Sequence, residues 1–259
     1  MTTPFETILK TTPPSISEDW LQGRTSFGGI LGALALKDLL ALVDNNRQPL
    51  SLNIQFIRPV YPETIDIKPT IIRAGKYLTQ GHVSIEQAGK IAVEGQVVFG
   101  TSRASGLQLK QKTTNLSKSI EEAQPLSETA SRHFPKFIQH FECHYTESGF
   151  PFSGEGQGEI GGFCKHRQPA IGYPALVALL DAWPPTLLPM YQKPIPASTV
   201  HWHVQFYGDS THSIDFSQEF CEYHATTLHA ESGFATTDAL ISLGGQTLAS
   251  GRQLVAFFE

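Results

Sequence analysis

Cysteine is scarce in this chain. The three present, Cys143, Cys164 and Cys221, are far apart in sequence and odd in number. That argues against a disulfide framework and for reduced thiols in a cytoplasmic protein. No long Lys/Arg run occurs and the net charge is −5, so the electrostatic footprint of a nucleic-acid binder is missing. The longest apolar stretch, Ile30 to Val43, is interrupted by Lys37 and Asp38 and is too short to span a bilayer. The opening Met1-Thr2-Thr3-Pro4-Phe5-Glu6 has neither the basic nor the apolar region of a signal peptide. A GxSxG elbow is absent, which counts against a serine hydrolase of the α/β type. So are CxxC and HExxH patterns, and with them the familiar zinc sites.

What the chain does have is a core and a repeat. Its 259 residues are 40% hydrophobic and 17% charged, enough for one large or two average globular domains. Two stretches share one design, a small-residue apolar helix followed by strands. The first runs from Gly28-Gly29-Ile30-Leu31-Gly32-Ala33-Leu34 to Val97-Val98-Phe99, the second from Tyr173-Pro174-Ala175-Leu176-Val177-Ala178-Leu179 to Gln253-Leu254-Val255. The pairs Gln55-Phe56 and Gln205-Phe206 give an offset of 206 − 56 = 150. The turns Gln87-Ala88-Gly89-Lys90 and Leu243-Gly244-Gly245-Gln246 are followed at equal distance by Gly95 and Gly251, an offset of 251 − 95 = 156. A period this long signals tandem domains rather than a solenoid.

Residues 1–27 read as a lead-in, with Thr25 or Ser26 available to cap a helix over Gly29–Val43. Strands are expected at Leu50–Ile57, Ile65–Arg73, Tyr77–Gln87 and Ile91–Thr101. The polar stretch 102–132 reads as a linker. A second helix runs from Pro174 to about Ala182 and stops at Pro184-Pro185. Strands then follow at Thr199–Tyr207, Ile214–His224, Leu228–Thr237, Asp238–Leu243 and Leu248–Phe258. Strands joined by short turns after one helix imply an antiparallel sheet with that helix on one face.

Asp181 is the most pointed candidate. A carboxylate beside a buried apolar helix is pushed toward the range of a general base; alternatively it ends the helix and bonds to the Pro184-Pro185 turn. Thr199 is a strand hydroxyl, or simply a β-branched residue suited to a strand. Gln253, in the last strand, is either an inward hydrogen-bonding amide or a solvent-facing one. His201 and His203 share a strand face and leave a metal-assisted reading open, though no third ligand is evident. Gly156 to Gly161 matches GxGxxG but lacks a following helix, and so reads as a loop or the start of a strand. The hydratase-type spacing of Asp, Asn and His is not evident.

The order of several motifs resembles a known family. Ile54-Gln55-Phe56-Ile57-Arg58-Pro59-Val60, then Ile72-Arg73-Ala74-Gly75-Lys76, then Gln87-Ala88-Gly89-Lys90 is similar to the first half of type II acyl-CoA thioesterases and the wider thioesterase-like superfamily. Leu180-Asp181, the Thr199 strand, the Gly245 turn and Gln253 resemble the second half. The resemblance spans about residues 20–259 and implies an α+β double hotdog fold. One unit with its lead-in would occupy residues 1–101 and the other 133–259, joined by the linker.

The resemblance further implies hydrolysis of an acyl-CoA, or a related thioester, without cofactor or metal. A water would be held by Asp181, Thr199 and Gln253. For such a reaction, backbone N–H groups at a helix start, near Gly28 and Gly29 or near Tyr173, would polarise the carbonyl, and Arg58, Arg73 and Lys76 would either meet the phosphates of CoA or be solvated surface charges. His201 departs from the family, which commonly carries an acidic residue there. The fold equally permits a non-catalytic acyl-thioester binding or scaffold protein, and edge pairing into homo-oligomers.

Overall fold

The structure, a computed structural model, describes residues 2–107, 109, 113–127, 131–132, 134–147, 150–155, 157–208 and 211–259. A short helix α1 (Phe5–Lys10) and a small hairpin, β1 (Leu21–Gln22) with β2 (Thr25–Ser26), precede the first long helix, α2 (Gly28–Leu40). Strands β3 (Arg47–Phe56), β4 (Asp66–Ala74), β5 (Leu78–Gln87) and β6 (Lys90–Thr101) follow. Next come β7 (Gln124–Pro125), β8 (Phe141–Glu147) and β9 (Glu159–His166), and then helix α3 (Gly172–Leu180). The chain ends with β10 (Ala197–Phe206), β11 (Cys221–Glu231), β12 (Phe234–Leu243) and β13 (Gln246–Phe257).

Among the described residues all but β1 and β2 join one antiparallel sheet, in the order β4-β5-β6-β3-β10-β13-β12-β11-β9-β8-β7. Helices α2 and α3 pack against each other, and both are almost wholly buried. This is the double hotdog architecture expected from the sequence. Close packing of the helices depends on missing side chains. A Cβ on Gly32 would lie 3.0 Å from Val177 Cγ1, and one on Gly29 would lie 3.1 Å from the Ala178 Cα.

The two halves meet where β3 pairs with β10, and the register there is symmetric. Asn53 pairs with His203, Leu52 with Val204, Ile54 with Trp202, Ser51 with Gln205 and Gln55 with His201. Asn53 and His203 are equivalents under the sequence offset, since 203 − 53 = 150. A pseudo-twofold axis therefore passes through that pair. The second offset holds as well. Gly95 pairs with Ile54 and Gly251 with Val204, and 204 − 54 = 150. Even the bulges correspond, with Leu50 and Val200 each skipped in the pairing of their strands.

Several expected elements are corrected. No side chain caps α2; Phe27 occupies that position. Helix α2 ends at Leu40 and α3 at Leu180, short of Val43 and Ala182. The three strands expected between 214 and 243 are two. β11 begins only at Cys221, and the β11–β12 turn falls at Ser232-Gly233, both with positive φ (53° and 81°). Such a two-residue turn suits a tight hairpin, and the Ser-Gly dipeptide was its signal. β8 is not expected from the sequence, and β9 only as one of the two readings of the Gly-rich run. In β8, however, Phe141, Cys143 and Tyr145 alternate inward, the period-2 mark of a half-buried strand. The Gly-rich run feeds β9, whose first residues are Glu159-Ile160-Gly161; Gly156 lies outside the described residues.

Cys143, Cys164 and Cys221 lie opposite one another across β8, β9 and β11, buried and free. Burial pushes all three thiols up, Cys221 to about 12, so none is suited to act as a nucleophile. Among the described residues no helix is long and apolar enough to cross a membrane.

Candidate active site

Asp181 stands at the C-terminal cap of α3, beside the first turn of α2. Its Oδ1 accepts a hydrogen bond from Gln253 Nε2 at 2.7 Å, and the Gly29 backbone N–H donates to the same carboxylate. Among the described residues these are its hydrogen-bond partners, and neither belongs to the Pro184-Pro185 turn. A Cβ on Gly28 would come within 2.9 Å of Asp181 Oδ2 and 3.2 Å of Phe56 Cζ. Glycine there lets the helix start reach the carboxylate. Surrounding protein pushes the Asp181 carboxyl up to about 7, against the lowering effect of the Gln253 and Gly29 hydrogen bonds. Desolvation of the charged form thus outweighs both donors and the positive end of the helix.

Strand register explains why Gln253 points inward. It lies opposite Trp202, which is buried, and next to Thr237, also buried. Thr199 needs the bulge. Simple alternation from Trp202 would put Val200 inside and Thr199 outside. Skipping Val200 pairs Thr199 with the buried Val255, and the hydroxyl-bearing side chain turns to the inner face.

Asp181, Thr199, Gln253, Gly28 and Arg58 line one cavity of about 330 Å³, together with Gln22, Thr25, Ser26, Leu31, Phe56, Val60, Trp183 and others. Among the described residues Thr199 makes no direct hydrogen bond to Asp181 or Gln253; what it shares with them is the cavity wall. At the rim Arg58 Nη1 donates to the Ile91 carbonyl at 2.5 Å.

Arg73 and Lys76 do not reach this cavity. They line a separate groove with Gln48, Gln80 and Arg103, and Lys76 and Arg103 each lie 5.1 Å from the Tyr77 ring centre. That groove sits at the start of β3, whereas the Asp181 cavity sits at its end. His201 and His203 face away from Asp181, on the outer side of the sheet. There His203 Nδ1 donates to Asn53 Oδ1 at 2.8 Å. Among the described residues no group of three or more His, Cys, Asp or Glu side chains is arranged to hold a metal ion.

Sequence reasoning did not single out Ser26, Phe56 or Trp183 as cavity walls. Trp183 follows Asp181 by two positions and reads as core on composition alone. Ser26, expected as a cap, buries its hydroxyl without a hydrogen-bond partner among the described residues.

Comparison with known families decides the kinship. Residues 16–100 match the model of the acyl-CoA thioesterase N-terminal domain, and residues 120–257 match that of the C-terminal domain. The chain belongs to the acyl-CoA thioesterase family. Among solved structures it is similar to a hot dog fold protein of unknown function from Alicyclobacillus acidocaldarius, with a TM-score of 0.87 at 19% identity over 100% of this chain and 99% of that one. It is also similar to the acyl-CoA thioesterase II TesB2 from Mycobacterium marinum, with a TM-score of 0.73 at 17% identity over 98% of both chains. At such identities these likenesses establish the fold. No curated protein sequence matches the chain. The Asp181 cavity brings together a carboxyl with a pKa of about 7, an amide bonded to it, the Thr199 side chain and the start of α2.

Proposed function

We propose that this protein hydrolyses an acyl-CoA to the free acid and CoA, with Asp181 as general base. The observation that carries this reading is the Asp181–Gln253 pair, in which a carboxyl with pKa about 7 is held by a 2.7 Å hydrogen bond at the wall of a cavity. A base so tuned is half ionised at neutral pH and still basic enough to take a proton.

A water between Asp181, Thr199 and Gln253 would be oriented by the Thr199 hydroxyl and the Gln253 amide, both able to donate and accept. As its oxygen attacks the thioester carbonyl carbon, its proton passes to Asp181. The carbonyl oxygen gains negative charge near the α2 start. Gly29 N–H is engaged by Asp181, which leaves the Gly28 N–H, with no acceptor inside the helix, as the donor for that oxygen. The intermediate collapses by breaking the C–S bond. The departing thiolate, whose conjugate thiol has a pKa near ~8.5, takes the proton back from Asp181. No covalent enzyme intermediate and no strong acid are needed. Arg58, fixed at the rim, suits the phosphates of CoA; Arg73 and Lys76, in their own groove, are left out of this contact.

The test is release of free thiol from a panel of acyl-CoAs. Turnover should rise with pH through about 7, and Asp181→Asn should cut it by ~10²–10⁴-fold while acyl-CoA binding persists. Full activity in that variant would remove Asp181 from the mechanism. Binding without thiol release by the unaltered protein would make it an acyl-thioester binding module.

A further inference from the structure

Building on the reading above, we propose that the substrates are short-chain acyl-CoAs and that Trp183 sets the upper limit of chain length. The cavity beside Asp181 measures about 330 Å³. That lies at the low end of the ~300–1,000 Å³ of ligand pockets. The cavity is open at one side, where the CoA arm must pass, and what remains suits a short acyl tail.

The walls show why the tail cannot run further. Leu31 and Val60, both buried, line the cavity. Trp183 is 6% exposed and forms another wall, and it has no room to retreat. Its ring stacks on Tyr223 with centroids 4.9 Å apart and planes 4° from parallel, and it meets Tyr145 edge-on at 4.9 Å. Phe150 backs Tyr145 at 4.7 Å. On β9 a Cβ at Gly162 would collide with the His144 carbonyl and lie 2.9 Å from Trp183 Cη2, so the glycine leaves the indole its place against the strand. A longer tail would have to displace a stacked aromatic cluster, which close-packed interiors resist.

The experiment measures binding of non-hydrolysable acyl-CoA thioethers with six-, ten- and sixteen-carbon tails, alongside turnover of the matching thioesters. The unaltered protein should bind the six-carbon analogue about tenfold or more tighter than the sixteen-carbon one, since a pocket of fixed size discriminates at least this well. Trp183→Ala should bring the two within about threefold. Trp183→Phe, a milder change that tests the idea should the alanine variant fold poorly, should admit the ten-carbon tail but not the sixteen. Equal binding of all three tails by the unaltered protein would overturn the proposal. So would an unchanged length profile in both variants with their thermal midpoints preserved, or binding of none of the analogues. If the length limit appears in binding while no thioester is cleaved, the limit stands and the hydrolase reading falls.

Discussion

The two poles of the molecule share a backbone plan and differ in chemistry. At one pole Asp181, Thr199 and Gln253 surround a cavity. The pseudo-twofold axis maps these positions onto the other pole through register. Thr199 corresponds to Pro49, because 199 − 150 = 49, and Gln253 to Val97, because 253 − 156 = 97. Aligning the helices on Gly28-Gly29 and Tyr173-Pro174 (173 − 28 = 145) sets Leu36 against Asp181, because 181 − 145 = 36. Leu36 and Val97 are 0% and 1% exposed. One pole carries polar groups aimed at a cavity, and the other has filled the same positions with apolar side chains. A backbone plan therefore does not carry chemistry by itself; three side chains set the two poles apart.

Exchanging side chains between the poles breaks this comparison most sharply. Gln253→Val removes the donor to Asp181 and should lower kcat by ~10–100-fold, the worth of a hydrogen bond to a charged group. The midpoint of the pH–rate profile should move upward as well, because a lowering influence on the carboxyl is lost. Steady-state kinetics across pH checks both. The reverse exchange, Val97→Gln, should create no activity. It should instead cost ~1–3 kcal/mol of stability by burying an amide without partners, read as a fall in the denaturation midpoint.

A subtler difference concerns pH. The Asp181 carboxyl has a pKa of about 7 in the folded protein against an ordinary value of 3.8. The folded state therefore binds the extra proton between those values. Stability associated with this group is highest below the unfolded value and declines as pH rises through about 7. Asp181→Asn escapes that decline. Its thermal midpoint should match the parent near the acid end of this window and exceed it at pH 8. The gain is on the order of 4 kcal/mol at most, since each pKa unit is worth about 1.4 kcal/mol. Equal midpoints at both pH values would mean the carboxylate costs the fold nothing.

Much of this was legible in the sequence, for identifiable reasons. The two offsets of 150 and 156 reappear as strand register because turn glycines and strand ends are set by local backbone requirements. Asp181 announced itself as a charge at the end of an apolar helix. Thr199 was named through family order, but its inward orientation could not be counted from the strand, because the unpaired Val200 reverses the alternation. Arg73 and Lys76 are grouped with Arg58 in the sequence but line a different groove from it, since chain order does not say which end of a strand a turn will face. Trp183 was passed over because an apolar aromatic after a helix looks the same whether it fills a core or bounds a cavity.

At the junction of the halves, Asn53 and His203 face each other and share a hydrogen bond. Two separate copies of one unit, meeting on a true twofold, would be forced to set like against like there, and any substitution would be inherited twice. Joining both units in a single polypeptide lifts that constraint, so an acceptor and a donor can occupy matched seats. The same freedom lets the far pole fill with apolar side chains while its counterpart keeps polar groups around a cavity.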